Sequence, residues 1–236
     1  MPEIRYDYIT FMELTDTLKN GNKILQDSDG FKFGIDAVLL ADFAATQVRN
    51  GDCVIDLGTG TGIIPLLMEK NCRACCFTGL EIQEKYAEFA ERSVELNGLS
   101  EKIKIIKGDI KNVDVLFARH SFNVVTANPP YMQVRGNQPQ NETQEKAIAR
   151  HELLCTLGDV VKAADFLLHS HGRFLMIHRP ERLPQIFAEL LKYGLEPKRL
   201  QLIQPHKNEA PNLVLVEARK DAQPGLKLEP CIIVYE

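Results

Sequence analysis

Four short apolar runs, each closed by a polar residue, restrict the fold of this chain more than any other feature. They are Cys53-Val-Ile-Asp-Leu57, Phe77-Thr-Gly-Leu80, Ile103-Lys-Ile-Ile106 and Phe122-Asn-Val-Val-Thr-Ala127. Runs of this length, rich in β-branched and aromatic residues, read as buried strands. Helical patterns lie between them. Ile63 to Lys70 is one, with Pro65 in its first turn, where proline is tolerated. Gln83 to Asn97 is another: Tyr86, Phe89, Ala90, Val94 and Asn97 recur at helical spacing, Glu88 and Arg92 form an i,i+4 pair, and Gly98 supplies the stop. Strands alternating with helices predict an α/β fold with a right-handed, doubly wound parallel sheet. Such sheets bind ligands at the carboxyl ends of their strands. Asp56, Glu81, Asp109 and Asn128 stand at those ends in succession.

The first run leads into Gly58-Thr-Gly-Thr-Gly62 and a helix. Glycines there let the backbone turn tightly and a ligand approach closely, and the helix N-terminus behind favours a carboxylate or similar anion. The spacing is not the dinucleotide fingerprint, because the third glycine comes one place early and Ile63 takes the position that needs a small residue. Asp56 suits a cationic partner better than a pyrophosphate. Glu81, followed by Ile82, is either placed to accept two ribose hydroxyls or a solvated surface glutamate. Asp109, followed by Ile110, reads locally as a helix N-cap.

The fourth run ends in Asn128-Pro129-Pro130-Tyr131. Two prolines cannot donate to a ladder, and Pro129 drives Asn128 into an extended conformation, so the strand stops there. The Asn128 and Pro129 carbonyls can accept both N–H bonds of an amino group while the Tyr131 ring stacks on the planar molecule that bears it. From Met132 to Lys146 the chain is polar and long for a loop, which suits a lid over this site.

Elsewhere, Asp36 is a plausible N-cap for a helix from Ala37 to about Gln47, with Phe33 either packing in the core or lining the pocket. A helix from Ala149 to about His169 and another from Glu181 to Tyr193 are expected. Strand-like runs cover Arg173 to His178, Leu200 to Gln204, Asn212 to Glu217 and Cys231 to Tyr235. No run reaches the ~18 apolar residues of a membrane span, and Met1 to Tyr8 has no apolar core of a secretory signal, so a cytoplasmic location is expected. The six cysteines read as reduced, small hydrophobes. Cys72 and Cys75 have CxxC spacing, but no second pair completes four ligands, and no metal is expected. A formal charge of −4 excludes a generally basic nucleic-acid coat but leaves room for a local basic patch.

With these residues placed, the chain resembles the class I S-adenosylmethionine-dependent methyltransferases. Within them it most resembles the bacterial tRNA adenine N6-methyltransferases that act on position 37 of valine tRNA. The residues that carry the likeness are Phe33 to Ala41, Asp56 to Gly62, Asn128 to Tyr131, Arg150 to Glu152 and His178 to Leu183. The resemblance implies a Rossmann-like, mostly parallel, seven-stranded sheet, with 1–35 as an N-terminal extension and 36–236 as the methyltransferase domain. It implies S-adenosylmethionine bound by Phe33, Asp56, Gly58, Thr59, Gly60, Gly62, Glu81, Ile82, Asp109, Ile110 and Asn128. Asn128, Pro129, Pro130 and Tyr131 would be catalytic. Lys32, Arg135, Arg150, His151, Arg179, Lys198 and Arg199 would contact RNA, with tRNA as the partner. Glutamine N5-methylation of release factors, guanine N2-methylation of rRNA and a non-catalytic nucleotide-binding module are the rival readings.

Overall fold

The computed structural model describes residues 13–27, 33–129 and 155–235. An eight-stranded sheet forms its centre. Its strands are β3 (Cys53–Leu57), β4 (Cys76–Glu81), β5 (Ile103–Lys107), β6 (Phe122–Ala127), β7 (Leu168–His178), β8 (Leu195–His206), β9 (Leu213–Lys220) and β10 (Lys227–Tyr235). The order across the sheet is β10-β8-β9-β7-β6-β3-β4-β5. Every neighbouring pair is parallel except those of β9, which runs antiparallel to β7 and β8. The sheet is thus mostly parallel, as expected, with one strand more than seven; β10 adds itself beside β8.

Burial on both faces explains why these strands are nearly continuous apolar runs rather than alternating ones. Successive residues serve opposite cores. Val54, Val124, Leu175 and Leu215 point into one, with Leu40 and Leu66 from α1 (Ile35–Ala45) and α2 (Ile63–Asn71). Ile55, Val125, Phe174 and Val216 point into the other, with Val161, Ala164 and Leu190 from α5 (Leu157–Leu167) and α6 (Leu183–Lys192). Two helices complete the set: α3 (Glu84–Leu96) and the one-turn α4 (Val113–Leu116).

Several helix limits differ from the sequence reading for identifiable reasons. Helix α1 is capped at Gly34, one residue before its first helical residue, so Asp36 sits in the first turn. Helix α5 starts where Thr156 and Asp159 close a reciprocal capping box, later than Ala149. Arg92 of α3 makes two hydrogen bonds to Glu13, one of them 2.7 Å, a longer-range pairing added to the charge of Glu88 one turn away.

A hairpin of β1 (Glu13–Thr17) and β2 (Lys23–Asp27) forms a separate two-stranded sheet. It docks on α3 by side chains that imitate a neighbouring strand. Asn97 accepts from Lys23 N at 2.8 Å and donates to Lys23 O, while Ser93 Oγ accepts from Leu25 N at 2.9 Å. Asn97 therefore works as a clamp, not as part of the apolar face.

The cysteine expectation needs correction. Cys53 and Cys76 face each other in register at the starts of β3 and β4, with Cα atoms 4.9 Å apart, and form a disulfide. Their separation of 23 residues hides the juxtaposition in the sequence. Among the described residues, no helix is long and apolar enough to cross a membrane.

Candidate active site

The parallel ladder brings the polar strand ends together. Leu57 pairs with Ala127 and with Leu80, so the loop after β3 lies between Asn128 and Glu81. Gly58, Gly60 and Gly62 have φ of +73°, +56° and +83°, the left-handed region open to glycine at little cost. A Cβ on Gly58 or Gly60 would meet no atom within 4 Å, so the loop opens a backbone-walled cradle.

The loop is held by β4. Leu80 O accepts from Gly58 N at 2.8 Å and from Thr59 N at 3.0 Å. Glu81, buried, accepts from Gly60 N at 2.9 Å through Oε2 and from Gln83 N at 2.8 Å through Oε1. A bracing role for Glu81 was invisible in the sequence; each oxygen keeps a second lone pair for a hydroxyl donor.

Asp56 is 1 % exposed. Its Oδ1 accepts from Thr126 Oγ1 of β6 at 2.7 Å, whereas Oδ2 has no hydrogen-bond partner among the described residues, and neither does Thr59 Oγ1 beside it. Burial pushes the Asp56 carboxyl up to about 7; the hydrogen bond from Thr126 opposes the rise and the Glu81 charge adds to it. A buried acceptor left over at the mouth of a glycine cradle suits a ligand ammonium, and the exposed backbone of the loop beside the α2 N-terminus suits a carboxylate. The donor set therefore fits the amino-acid end of S-adenosylmethionine.

Asn128 follows the last paired residue of β6. Its Nδ2 donates to Asp36 Oδ2, in the first turn of α1, at 3.0 Å. A carboxylate only accepts, so this bond sets which end of the amide is which, and Oδ1 is directed away from Asp36. The sequence reading took Asp36 for a helix cap. Its contact with a residue 92 positions away has no local signal.

The remaining predicted residues divide clearly. Phe33 is half-buried against the core, its N–H donating to Gln26 Oε1 at 3.2 Å. Ile82 stands 37 % exposed just past β4, offering an apolar surface beside Glu81. Asp109 caps the short 3-10 turn that Ile110 opens, accepting from Lys111 N at 2.9 Å. Pro129 lies beside Asn128, half-buried. Arg179 follows the end of β7 and donates to Asn212 O at 3.0 Å, at the same edge as Asn128. Lys32, Pro130, Tyr131, Arg135, Arg150 and His151 lie outside the described residues.

Lys198 and Arg199 do not join this edge. They were read as flanking a strand that starts at Leu200, but β8 starts at Leu195 and both lie inside it. Arg199 pairs with Glu217 at 3.2 Å and Glu229 at 3.0 Å and covers the Phe43 ring at 4.6 Å. Phe43 is seven residues along α1 from Asp36, roughly 10 Å down the helix. Lys198 lines a cavity of about 580 Å³ with Arg49, which precedes β3, and His171, early in β7, at the amino ends of the parallel strands.

One residue at the edge was not among the expected site residues. His178 ends β7, and since Ala127 pairs with Met176, it comes level with Pro129. It is buried, and its Nδ1 accepts from Arg179 N at 2.8 Å, which places the ring proton on Nε2. Burial, with the charges of Arg182 and Arg179, pushes its pKa down to about 4.

A family model described as a methyltransferase domain matches residues 49–213. A Porphyromonas gingivalis protein named tRNA1(Val) (adenine(37)-N6)-methyltransferase is 27% identical over 198 residues, which cover 82% of this chain and 76% of that one. A Histophilus somni protein of the same name is 30% identical over 158 residues, covering 65% and 63%. Among solved structures, a predicted O-methyltransferase from Agrobacterium tumefaciens, Atu636, is 25% identical with a TM-score of 0.66, covering 84% of this chain and 86% of that one. The T. Thermophilus 16S rRNA N2 G1207 methyltransferase, solved with AdoMet and guanosine, is 16% identical with a TM-score of 0.61, covering 89% and 50%, and is a likeness of fold alone.

Proposed function

Since this chain belongs to the S-adenosylmethionine-dependent methyltransferases, we propose that it methylates N6 of an adenine in the anticodon loop of a tRNA, at position 37 of valine tRNA. The observation that carries the reading is the oriented amide of Asn128, held by Asp36 beside the glycine cradle and the spare acceptor of Asp56. S-adenosylmethionine supplies a methyl group already activated by its positive sulfur. The chain's own residues do the rest. Asp56 and the glycine loop take the ammonium and carboxylate of the cofactor, Glu81 its ribose, and Asp109 with Ile82 its adenine.

An exocyclic amine has its lone pair delocalised into the ring and is a poor nucleophile. Asn128 Oδ1 and the Pro129 carbonyl each accept one of its N–H bonds, which turns the lone pair out of the ring plane. Tyr131 stacks on the base, a gain of about 1–3 kcal/mol. An unpaired anticodon-loop base enters such a pocket at little cost. Lys32, Arg135, Arg150 and Arg179 are the proposed phosphate contacts. The names of the relatives, matched over most of their length, support adenine in tRNA over other amines.

The test is transfer of radiolabelled methyl groups to total RNA and to total protein, followed by nucleoside analysis. Label in N6-methyladenosine from the tRNA fraction is expected. Label in protein would favour glutamine, label in N2-methylguanosine would favour guanine, and no transfer at all would leave a nucleotide-binding module.

A further inference from the structure

The candidate active site uses no cysteine, yet three meet at the other end of the same strands. The Sγ atoms of Cys53, Cys75 and Cys76 lie within 4.8 Å of one another. Cys53 and Cys76 are joined, and Cys75 Sγ is 3.3 Å from Cys53 Sγ and 3.0 Å from Gly51 O. Cys75 is exposed while its two neighbours are half-buried. Cys53 comes five residues before Gly58, so the cluster is roughly 16 Å from the glycine loop along β3.

A third thiol touching one sulfur of a disulfide can enter thiol–disulfide exchange once side-chain rotation brings the three sulfurs into line. We propose that Cys53, Cys75 and Cys76 form an exchange site for low-molecular-weight disulfides, with Cys75 as the entry thiol. Starting from three thiols, the Cys75 thiolate attacks one sulfur of the small disulfide; a Cys75–S bond forms and one small thiolate leaves. Cys53, as thiolate, attacks the Cys75 sulfur, forming Cys53–Cys75 and releasing the second small thiolate. Cys76 then attacks Cys53, and Cys75 departs as a thiolate. Two protein thiols are oxidised, one small disulfide is reduced to two thiols, and the product is the bonded pair seen in the structure. The paired starts of β3 and β4 hold Cys53 and Cys76 for the last step, while exposure reserves the first for Cys75.

The full-length protein, reduced and then exposed to oxidised glutathione, provides the test by acid quench, alkylation and peptide mass spectrometry. Wild type is expected to end with Cys53 linked to Cys76 and no adduct. Cys75→Ser, a change at the surface, should form that link about tenfold more slowly or worse. The Cys53→Ser/Cys76→Ser double variant should keep the glutathione adduct on Cys75. Equal rates in wild type and Cys75→Ser would overturn the proposal. So would a double variant free of adduct, or isolated protein carrying stoichiometric zinc released by thiol reagents, which would make the three sulfurs a metal site.

Discussion

Asp36 and Asn128 form a pair whose value lies in asymmetry. Asp36→Ala removes the acceptor that sets the amide, and kcat is expected to fall about ten- to hundredfold while S-adenosylmethionine affinity by calorimetry moves little. Asp36→Asn still offers an acceptor but can also donate, so two amide orientations become nearly equal and the loss should be only about twofold. A purely structural role would shift melting temperature and both kinetic constants together. Two buried groups also set opposing pH dependences of ligand-free stability. Asp56 titrates near 7 in the folded state, above its ordinary value, so its contribution is fully present below about 4 and is lost as pH rises through 7. His178 titrates near 4, below its ordinary value, so its contribution is present above about 6.5 and is lost as pH falls through 4. Between these limits the two slopes cancel. Melting temperatures across that range should therefore fall on acidification in Asp56→Asn and fall with rising pH in His178→Gln. In wild type, S-adenosylmethionine affinity should climb by up to about tenfold per pH unit until Asp56 is ionised near pH 7.

At the scale of elements, the glycine loop is shaped less by its own residues than by the strand beside it. Leu80 and Glu81 of β4 bind three of its N–H groups. Gly79 gives it room: a Cβ there would lie 2.7 Å from Thr59 Cγ2 and 2.9 Å from Ile105 Cδ1. Gly79→Ala must displace Thr59 and with it the loop. We expect at least about tenfold weaker S-adenosylmethionine binding by calorimetry, with a stability loss of about 1–3 kcal/mol from overpacking. A variant that binds the cofactor as tightly as wild type would show that the loop is not positioned by this contact.

For the molecule as a whole, the sheet alone does not complete the core. Ile24 and Leu18 of the hairpin region are buried with α1 and α2, and the hairpin is tied on through α3. Ser93 is fully buried, and its hydroxyl is the acceptor for Leu25 N. Ser93→Ala leaves that N–H without its acceptor and should cost about 1–3 kcal/mol in urea unfolding. The amino ends of the central strands are tied differently, by a buried Arg173–Asp52 pair at 2.8 Å, and the Arg199, Glu217 and Arg219 network joins β8 to β9. Arg199 is thus held in the scaffold and Lys198 lies away from the Asn128 edge, so phosphate contacts are to be sought first at the edge of Arg179.

What the linear chain determined by itself was periodicity and punctuation. Apolar runs of strand length, the glycine triplet and the double proline are local signals, because burial, positive φ and a missing N–H act on the residue that carries them. They sufficed for the parallel sheet, the glycine loop and the end of β6 at Asn128. Only the tertiary structure decided which groups face one another. Asp36 on Asn128, Thr126 on Asp56, Glu81 on Gly60 and Cys53 against Cys76 join residues 21 to 92 positions apart. Strand order and helix docking choose those partners, and a side chain's hydrogen bond leaves no trace in the residues next to it.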